Sequence, residues 1–314
     1  MLPCEESLSM ICGKLLGDGC IVKQEGRKPR FQFIHSIKDK EWCYYCYSRL
    51  KDYLPLTGPH YKRIEDNRVQ AGYTESYHVQ SRTHDHITNL RSIWYKNRKK
   101  VLPFEFLGKY LTPLALAWWY QDDGHLKKVS TIPRKIILST DNFTPAENNQ
   151  LCQLLKNKYS LFFSIDKQNR IILYDQFQIH YFLFLVSPYL HPCMYRKTIT
   201  SCDIYNQCLN PNRTTIYLPA HIKLTSPTRE INEKLSMLPD IFTAIKCNNF
   251  YTNELLTFIE STKTHVSKKP YQIVVSEENL QNLSKLNKMT GLNASIVAQL
   301  CFMEVQSKKR LGQN

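Results

Sequence analysis

The 314-residue sequence has no run of about 18 consecutive apolar residues, so it has no segment typical of a membrane span. Its first residues form neither a basic-then-apolar signal peptide nor an Arg- and Ser-rich transit peptide, so we expect a protein that is not secreted. Acidic residues are scarce, 27 against 42 Lys and Arg, which gives a formal net charge of +15. This charge favours a polyanionic partner and says nothing about the fold.

A disulfide framework is also missing, because the eleven cysteines are scattered and odd in number. This usage favours an intracellular, reducing compartment, either the cytoplasm or an organelle matrix. The pair Cys43-Tyr-Tyr-Cys46 has zinc-ligand spacing, but no second Cys/His pair is spaced to complete a tetrahedral site. We therefore interpret this pair as part of a half-buried helix.

What the sequence does contain is a helix that ends in acids, within Leu111-Thr-Pro-Leu-Ala-Leu-Ala-Trp-Trp-Tyr-Gln-Asp-Asp-Gly-His125. Thr112 is a favourable N-cap, and the proline that follows suits the first helical position. Asp122 and Asp123 close the helix at its negative end, where carboxylates are disfavoured. Their place predicts a compensating positive charge, such as a divalent cation. The alternative is an ordinary buried helix closed by a polar turn.

A second helix of the same design spans residues 5–19: acids in the first turn, an apolar body, and an Asp18-Gly19 end. Gly13 and Gly17 are four residues apart and share one helical face. Two glycines inside a helix cost about 2 kcal/mol relative to alanine. We therefore expect close packing of another helix against this face.

The two Asp-Gly ends are 105 residues apart, and parallel series of elements follow them. Each series has predicted strands, a helix that closes on Leu-Lys, more strands, a third helix and a basic, proline-bearing segment. This predicts an α+β fold with a duplicated α-β-β-α-β-β-α unit over about residues 4–210. The predicted domains are a first repeat at 1–100, a second repeat at 101–210 and a C-terminal accessory domain at 211–314. The predicted strands lie at 31–36, 61–64 and 77–80 in the first repeat, and at 135–140, 161–165 and 170–174 in the second.

Side-by-side packing of the two acid-ended helices would bring Asp18 and Asp123 together. Two close carboxylates share divalent cations well, and oxygen ligands favour Mg²⁺, with Mn²⁺ as the substitute. Each repeat also contributes a lysine that can orient a water or stabilise a pentacovalent phosphate. On a +15 protein, this combination predicts metal-assisted phosphodiester hydrolysis.

Two nonapeptides, Ile11-Cys-Gly-Lys-Leu-Leu-Gly-Asp-Gly19 and Leu116-Ala-Trp-Trp-Tyr-Gln-Asp-Asp-Gly124, stand in register with the repeats. They resemble the motifs of the two-repeat LAGLIDADG homing endonucleases, and most of all the omega-intron subgroup of yeast mitochondria. The resemblance covers nearly all of residues 4–200. It implies a monomeric pseudo-dimer that cuts both strands of a long, asymmetric DNA target with Mg²⁺ or Mn²⁺.

The resemblance also assigns site residues. It places the metal-binding acids at Asp18 and Asp123 and implies that the carbonyl of Gly17 or Asp122 also contacts a metal. The active-site lysines fall on Lys100 and Lys197. The second motif departs from the first, because Trp118 and Asp122 stand where the first has its two glycines, so we expect an asymmetric helix interface.

In this family the strands form a saddle in the DNA major groove. Polar residues that alternate with apolar ones on a strand suit base edges, and loop lysines suit phosphates. For any single lysine the alternative is a solvated surface position. The implied DNA-binding residues are Lys23, Arg27, Lys28, Arg30, Gln32, Lys62 and Arg63 in the first repeat, and Lys127, Lys128, Arg134, Lys135, Lys167 and Arg170 in the second.

The C-terminal third predicts a strand at 213–219, helices over 220–261 broken by Pro227 and Pro239, a linker at 264–269 and a strand at 271–276. Ser276 and Asn293 are predicted to cap two further helices. The predicted order strand-helix-helix therefore occurs twice in this part of the chain. This arrangement is similar to that of ribbon-helix-helix modules, which place a two-stranded ribbon in the major groove. The residues that would point at bases are Thr215, Tyr217, Gln272 and Val274. A plain helical dimerisation or packing domain is the alternative.

The sequence is compatible with three functions: a site-specific DNA endonuclease, a maturase that binds intron RNA, and a non-catalytic DNA-binding regulator. Retained acids and lysines favour the first, because splicing does not require them. Tyr120-Gln-Asp-Asp123 also has the pattern of reverse transcriptases, but that motif requires a β-hairpin where this sequence predicts a helix.

Overall fold

The computed structural model describes residues 4–199, 213–263 and 267–311. The chain forms two compact units, one of residues 1–175 with 182–199 and the other of residues 176–181 with 200–314. The first predicted repeat and most of the second therefore lie in the first unit, whereas residues 176–181 of the second repeat belong to the other unit. No helix in the described part of the chain is long and apolar enough to cross a membrane.

The first repeat contains the predicted series of helices and strands. Helix α1 is followed by β1, the strand of the α-β-β-α-β-β-α unit for which no bounds were predicted. The strands form an antiparallel sheet in the order β1-β2-β4-β3. The bounds are α1 Glu5–Leu16, β1 Cys20–Val22, β2 Arg30–Ser36, α2 Lys40–Leu50, β3 His60–Glu65, β4 Tyr73–Gln80 and α3 Asp85–Trp94.

A short hairpin and a helix lead into the second repeat: β5 Tyr95–Lys96, β6 Lys99–Lys100 and α4 Phe104–Tyr110. The second repeat has the same element order and an antiparallel sheet in the order β7-β8-β10-β9. Its bounds are α5 Pro113–Asp123, β7 Gly124–Val129, β8 Ile132–Leu138, α6 Pro145–Tyr159, β9 Ser164–Ile165, β10 Ile171–Leu173 and α7 Gln176–Val186. The α+β class and the pseudo-twofold pair of repeats are as predicted.

Helices α1 and α5 pack side by side through the glycine face of α1. A Cβ atom on Gly13 would lie 2.5 Å from the Ala115 carbonyl oxygen and 2.6 Å from Trp118 Cβ. A Cβ atom on Gly17 would lie 2.5 Å from Asp122 Cβ. The interface is asymmetric, as expected, because glycines of α1 face larger side chains of α5.

We expect Gly13→Ala to lower the free energy of unfolding by about 2 kcal/mol, because overpacking outweighs the better helix propensity of alanine. The control is Gly108→Ala in α4, where an added Cβ meets no atom within 4 Å. That variant should gain up to about 1 kcal/mol. Urea denaturation measures both changes, and equal stability of the two variants would contradict the close packing.

The second unit contains a two-stranded antiparallel ribbon of β11 and β12, as predicted. The strands pair over their full length, from Arg213 opposite Val274 to Pro219 opposite Lys268. One face of the ribbon is buried and the other is exposed. The bounds are β11 Arg213–Pro219, α8 Pro227–Leu235, α9 Leu238–Lys246, α10 Asn253–Thr262, β12 Lys268–Val274, α11 Glu277–Thr290 and α12 Ala294–Leu311.

Two details of the second unit differ from the predictions. Pro227 and Pro239 lie in the first turns of α8 and α9 and start these helices rather than break them, because the first turn needs no N–H from the proline. The predicted linker at 264–269 ends early, because β12 already begins at Lys268; residues 264–266 lie outside the described part. Ser276 and Asn293 do cap α11 and α12.

Candidate active site

The two predicted active-site lysines close the C-terminal turns of the two acid-ended helices. Lys100 Nζ donates to the carbonyls of Leu15 (2.7 Å) and Gly19 (2.8 Å) at the end of α1. Lys197 makes the equivalent contacts at the end of α5, with the carbonyls of Tyr120 (2.9 Å), Gln121 (2.6 Å) and Asp122 (3.3 Å). Part of the positive charge that the acid-ended helices were expected to need is therefore supplied by these lysines.

Local structure holds each lysine in place. Lys100 lies on the β5–β6 hairpin, whose two-residue turn has positive φ at both Asn97 (46°) and Arg98 (70°), as type I′ hairpin turns require. Lys197 ends a 3₁₀ segment, Pro192–Lys197, and its carbonyl accepts the Tyr120 hydroxyl at 2.7 Å. The two lysines thus reach equivalent positions from different local structures.

Burial perturbs both amines in the same direction. It lowers the pKa of Lys197 to about 8 and lowers the pKa of Lys100 below its ordinary value. Desolvation disfavours the charged ammonium form, and nearby carboxylates only partly offset it. A lysine with a pKa near 8 can exchange a proton with a bound water near neutral pH.

Asp18 and Asp123 lie at the ends of the paired helices, and their environments differ. Burial raises the pKa of the Asp123 carboxyl to about 7, and the charges of Asp18 and Asp122 add to the shift. For Asp18 burial acts in the same direction, but the hydrogen bond from His35 and nearby positive charges outweigh it, and its pKa is lowered. The two acids are therefore close enough to repel each other and are not chemically equal.

Asp122 has a buried side chain with no solvent exposure, and three donors occupy its oxygens. Lys14 Nζ lies 2.8 Å from Oδ1, Trp42 Nε1 donates to the same oxygen at 2.8 Å, and the Asp18 backbone N–H donates to Oδ2 at 3.2 Å. Burial lowers the pKa of the Lys14 ammonium, but the Asp122 carboxylate outweighs it and raises that pKa above its ordinary value. Asp122 therefore forms a structural ion pair with Lys14.

His35 connects this ion pair to Asp18. Its Nε2 lies 2.7 Å from Lys14 Nζ, and its Nδ1 lies 3.2 Å from Asp18 Oδ2. An ammonium group can only donate, so Nε2 accepts and the ring proton is on Nδ1, facing Asp18. Neither Lys14 nor His35 is among the site residues predicted from the sequence. One signal was available, because Lys14 is a charged residue in the middle of an apolar helix.

The predicted DNA-binding residues of the first sheet do not all lie on the same face of that sheet. Arg30 and Gln32 lie on one face of β2, and Lys62 joins that face through the pairing of β3 and β4. Arg63 alternates to the opposite face, where its guanidinium stacks on the Tyr73 ring at 3.6 Å. The loop residues Lys23, Arg27 and Lys28 are exposed beside this sheet.

In the second sheet, Lys127 and Lys135 lie directly opposite each other on β7 and β8. Like charges directly opposite each other on paired strands are destabilising. Lys128, Arg134 and Lys167 are also solvent-accessible. Arg170 differs from the expectation, because an ion pair with Asp166 at 2.6 Å occupies its guanidinium.

The sequence profile of the LAGLIDADG DNA endonuclease family matches residues 8–181. The chain belongs to this family. The match covers both acid-ended helices, which are therefore its two LAGLIDADG helices, and both four-stranded sheets. The predicted family is confirmed.

Relatives of this LAGLIDADG chain include two cytochrome b mRNA maturases bI2. The protein from Debaryomyces hansenii is 28% identical over 199 residues, 62% of this chain and 73% of the relative. The protein from Saccharomyces cerevisiae is 30% identical over 203 residues, 60% of this chain but only 46% of the relative. The intron-encoded endonuclease ai4 of Dictyostelium discoideum is 31% identical over 130 residues, 39% of this chain and 77% of the relative.

A solved structure supports the fold. The homing endonuclease I-WcaI, solved bound to its DNA recognition sequence, superposes with a TM-score of 0.55 and 23% identity. The match covers 63% of this chain and 87% of I-WcaI. At this identity the likeness establishes the LAGLIDADG fold.

The residues at the LAGLIDADG helix ends fit a hard divalent cation. Asp18 has a side chain one-third exposed, and burial, together with the charges of Asp18 and Asp122, raises the pKa of the Asp123 carboxyl, a shift that a bound cation would oppose. The Asp122 side chain does not fit as a ligand, because Lys14, Trp42 and a backbone N–H already surround its oxygens. Its carbonyl also accepts a bond from Lys197.

The structure also tests the predictions for the Cys43/Cys46 pair and for the Tyr-Gln-Asp-Asp pattern. Cys43 and Cys46 are buried, free thiols on the inner side of α2, as the helical interpretation predicted. Tyr120-Gln-Asp-Asp123 lies in α5 and not in a hairpin, so the reverse transcriptase interpretation is excluded. All cysteines in the described part of the chain are free.

Proposed function

We propose that this chain is a site-specific double-strand DNA endonuclease that acts as a monomer by metal-assisted phosphodiester hydrolysis. The observation that carries the proposal is the pair of packed helices, each ending in an acid and each closed by a lysine. Folding alone does not need this combination, because it places repelling carboxylates at the negative ends of two helix dipoles. A function that uses the acids explains why they are there.

In this mechanism Asp18 and Asp123 would hold Mg²⁺ or Mn²⁺, and the carbonyl of Gly17 would offer a further oxygen ligand. When bound, the cation polarises the scissile phosphate and lowers the pKa of a water nucleophile. Lys100 and Lys197 orient that water and stabilise the negative charge that develops on the phosphate. His35 donates to Asp18 and fixes the direction of its carboxylate.

The two sheets are proposed to contact the target DNA. Arg30, Gln32 and Lys62 would face base edges and phosphates in the first repeat, and Lys127 and Lys135 would serve the second. The opposed lysine pair supports this proposal, since bound phosphates remove a repulsion that the free protein carries. Arg63 and Arg170 are the weakest members of the predicted set, because Tyr73 and Asp166 already engage them.

Lys127→Ala is expected to weaken DNA binding and also to stabilise the free protein. Loss of one phosphate contact should lower the slope of log affinity against log salt by about 1. Loss of the repulsion with Lys135 should raise the free energy of unfolding by a few tenths of a kcal/mol, up to about 1. Salt-dependent binding and urea denaturation measure the two effects; reduced stability with an unchanged salt slope would contradict the proposed DNA contact.

The exposed face of the β11–β12 ribbon is proposed as a second DNA contact. Thr215 pairs with Gln272 across the ribbon, and Tyr217 and Val274 share their face, while Ile216 and Ile273 are buried on the other. Replacing Tyr217 and Gln272 by alanine should weaken binding to a long target by about 10-fold or more, at about 1–3 kcal/mol per base contact. Unchanged affinity in a gel-shift assay would support the packing alternative instead.

A second candidate function is RNA splicing, since two relatives are named mRNA maturases. It predicts tight binding to structured intron RNA with little DNA cleavage, whereas a non-catalytic regulator would bind DNA without cutting it under any divalent metal. Cleavage of DNA in Mg²⁺, measured beside binding to intron RNA, separates the three. The free cysteines support a reducing compartment for each of them.

A further inference from the structure

Three metal-ligating side chains meet beside the N-terminus of α2, apart from the proposed acids and lysines. A carboxylate oxygen of Glu41, a ring nitrogen of His191 and the Sγ of Cys193 all lie within 4.8 Å of one another. His191 Nδ1 is 3.0 Å from Cys193 Sγ. The three residues come from both repeats, because Glu41 lies in the first and the other two lie in the second.

Packing holds two of these ligands in place. The His191 ring lies against Tyr45, with ring centroids 4.8 Å apart, and against Trp42 at 6.3 Å. The backbone N–H of Cys193 donates to His191 Nδ1 at 3.4 Å. Ring contacts and hydrogen bonds of this kind hold metal ligands in a fixed orientation. The site is therefore more than a chance surface cluster.

The chemistry of the donors selects the metal. One thiolate, one imidazole and one carboxylate match zinc, which takes three protein ligands and leaves a fourth position open. Magnesium prefers oxygen ligands alone. Zinc bonds of about 2.0–2.3 Å place tetrahedral ligands roughly 3.3–3.8 Å apart, so small side-chain rotations suffice from the separations present. We propose that Glu41, His191 and Cys193 form a zinc site that ties the two repeats together.

The location of this site gives it a consequence for the active site. His191 and Cys193 lie in the segment that ends at Lys197, and the His191 backbone N–H donates to the Gln121 side chain at 2.6 Å. Trp42, whose ring packs against His191, also donates to Asp122. Bound zinc therefore holds the segment that presents Lys197 to the end of α5.

The test is a Co²⁺ titration of the full chain after EDTA treatment and desalting, because Co²⁺ replaces zinc and reports its ligands by absorption. We expect one equivalent to give a sulfur-to-cobalt charge-transfer band in the near ultraviolet. Cobalt at Asp18 and Asp123 does not contribute to this band, since those ligands carry no sulfur. The band should vanish in Cys193→Ser and persist in Cys152→Ser, a half-buried cysteine elsewhere in the first unit.

A wild-type protein without the band, or a band that survives in Cys193→Ser, would overturn the proposal. Glu41→Gln keeps the test decisive if the cysteine variant fails to fold, because Glu41 is exposed and its replacement leaves the thiolate in place. This variant should retain the band but bind Co²⁺ at least about tenfold more weakly. Unchanged affinity would exclude Glu41 as a ligand and overturn the site as proposed. These readouts do not depend on nuclease activity.

Discussion

Asp123→Asn is expected to reduce DNA cleavage in Mg²⁺ at least about a thousandfold, and Asp18→Asn should do the same. A thousandfold loss corresponds to about 4 kcal/mol of transition-state stabilisation, the order of magnitude that a metal ion contributes. Asparagine keeps the size and a hydrogen-bond acceptor, so His35 can still donate to residue 18. The change therefore removes the charge that holds the metal. The measurement is the single-turnover cleavage rate of a plasmid that carries a cognate site.

Two controls make this prediction specific. Asp141→Asn removes an exposed carboxylate in the turn after β8 and should leave the rate unchanged. Both active-site variants should keep the salt-dependent DNA affinity of the wild type within about tenfold, because the proposed phosphate contacts are on the sheets. Full cleavage by either variant would show that the substituted aspartate is not a metal-binding acid of the active site.

Lys14→Met is expected to lower the free energy of unfolding by about 3–5 kcal/mol. Lys14 and Asp122 have no solvent exposure, so removal of the lysine leaves an uncompensated buried carboxylate. A loss of this size is a large part of the total stability of most domains. Urea denaturation of the full chain measures it, with the transition of the first unit followed by tryptophan fluorescence.

Lys28→Met is the matched control, because Lys28 is exposed and its ion pair with Asp85 is long, at 3.7 Å. It should change stability by less than about 0.5 kcal/mol. The double variant Lys14→Met/Asp122→Leu should lose less than the single variant, since it removes both charges together. A loss below about 1 kcal/mol for Lys14→Met would show that Asp122 is not held by a buried ion pair.

Local sequence signals were enough to predict the repeat and the acid-ended helices. Thr112 and the proline that follows it define the start of α5, and the Asp-Gly pairs define both helix ends. The order of predicted strands and helices after each Asp-Gly pair was enough to identify the duplicated unit. The predicted bounds of its elements differ from those in the structure by a few residues. The glycine pair on one face of α1 likewise predicted the close, asymmetric packing against α5.

Contacts between distant residues were not predictable in this way. Lys14 and Asp122 are 108 residues apart, and His35 reaches Asp18 from a strand that local patterns describe only as half-buried. The expectation for Asp122 was a carbonyl contact, whereas its side chain proves to be the centre of a buried network. Lys62 and Arg63 are both in the predicted DNA-binding set, but as neighbours on one strand their side chains lie on opposite faces of the sheet.

The most direct test of the account is to select cleaved sites from a randomised or genomic DNA library incubated with the purified chain and Mg²⁺. Sequencing of the released ends should reveal one long, asymmetric target cut on both strands, with no product from Asp18→Asn or Asp123→Asn. Recovery of no cut DNA, or of the same ends from the two variants, would contradict the proposal that these acids form a metal-dependent nuclease site.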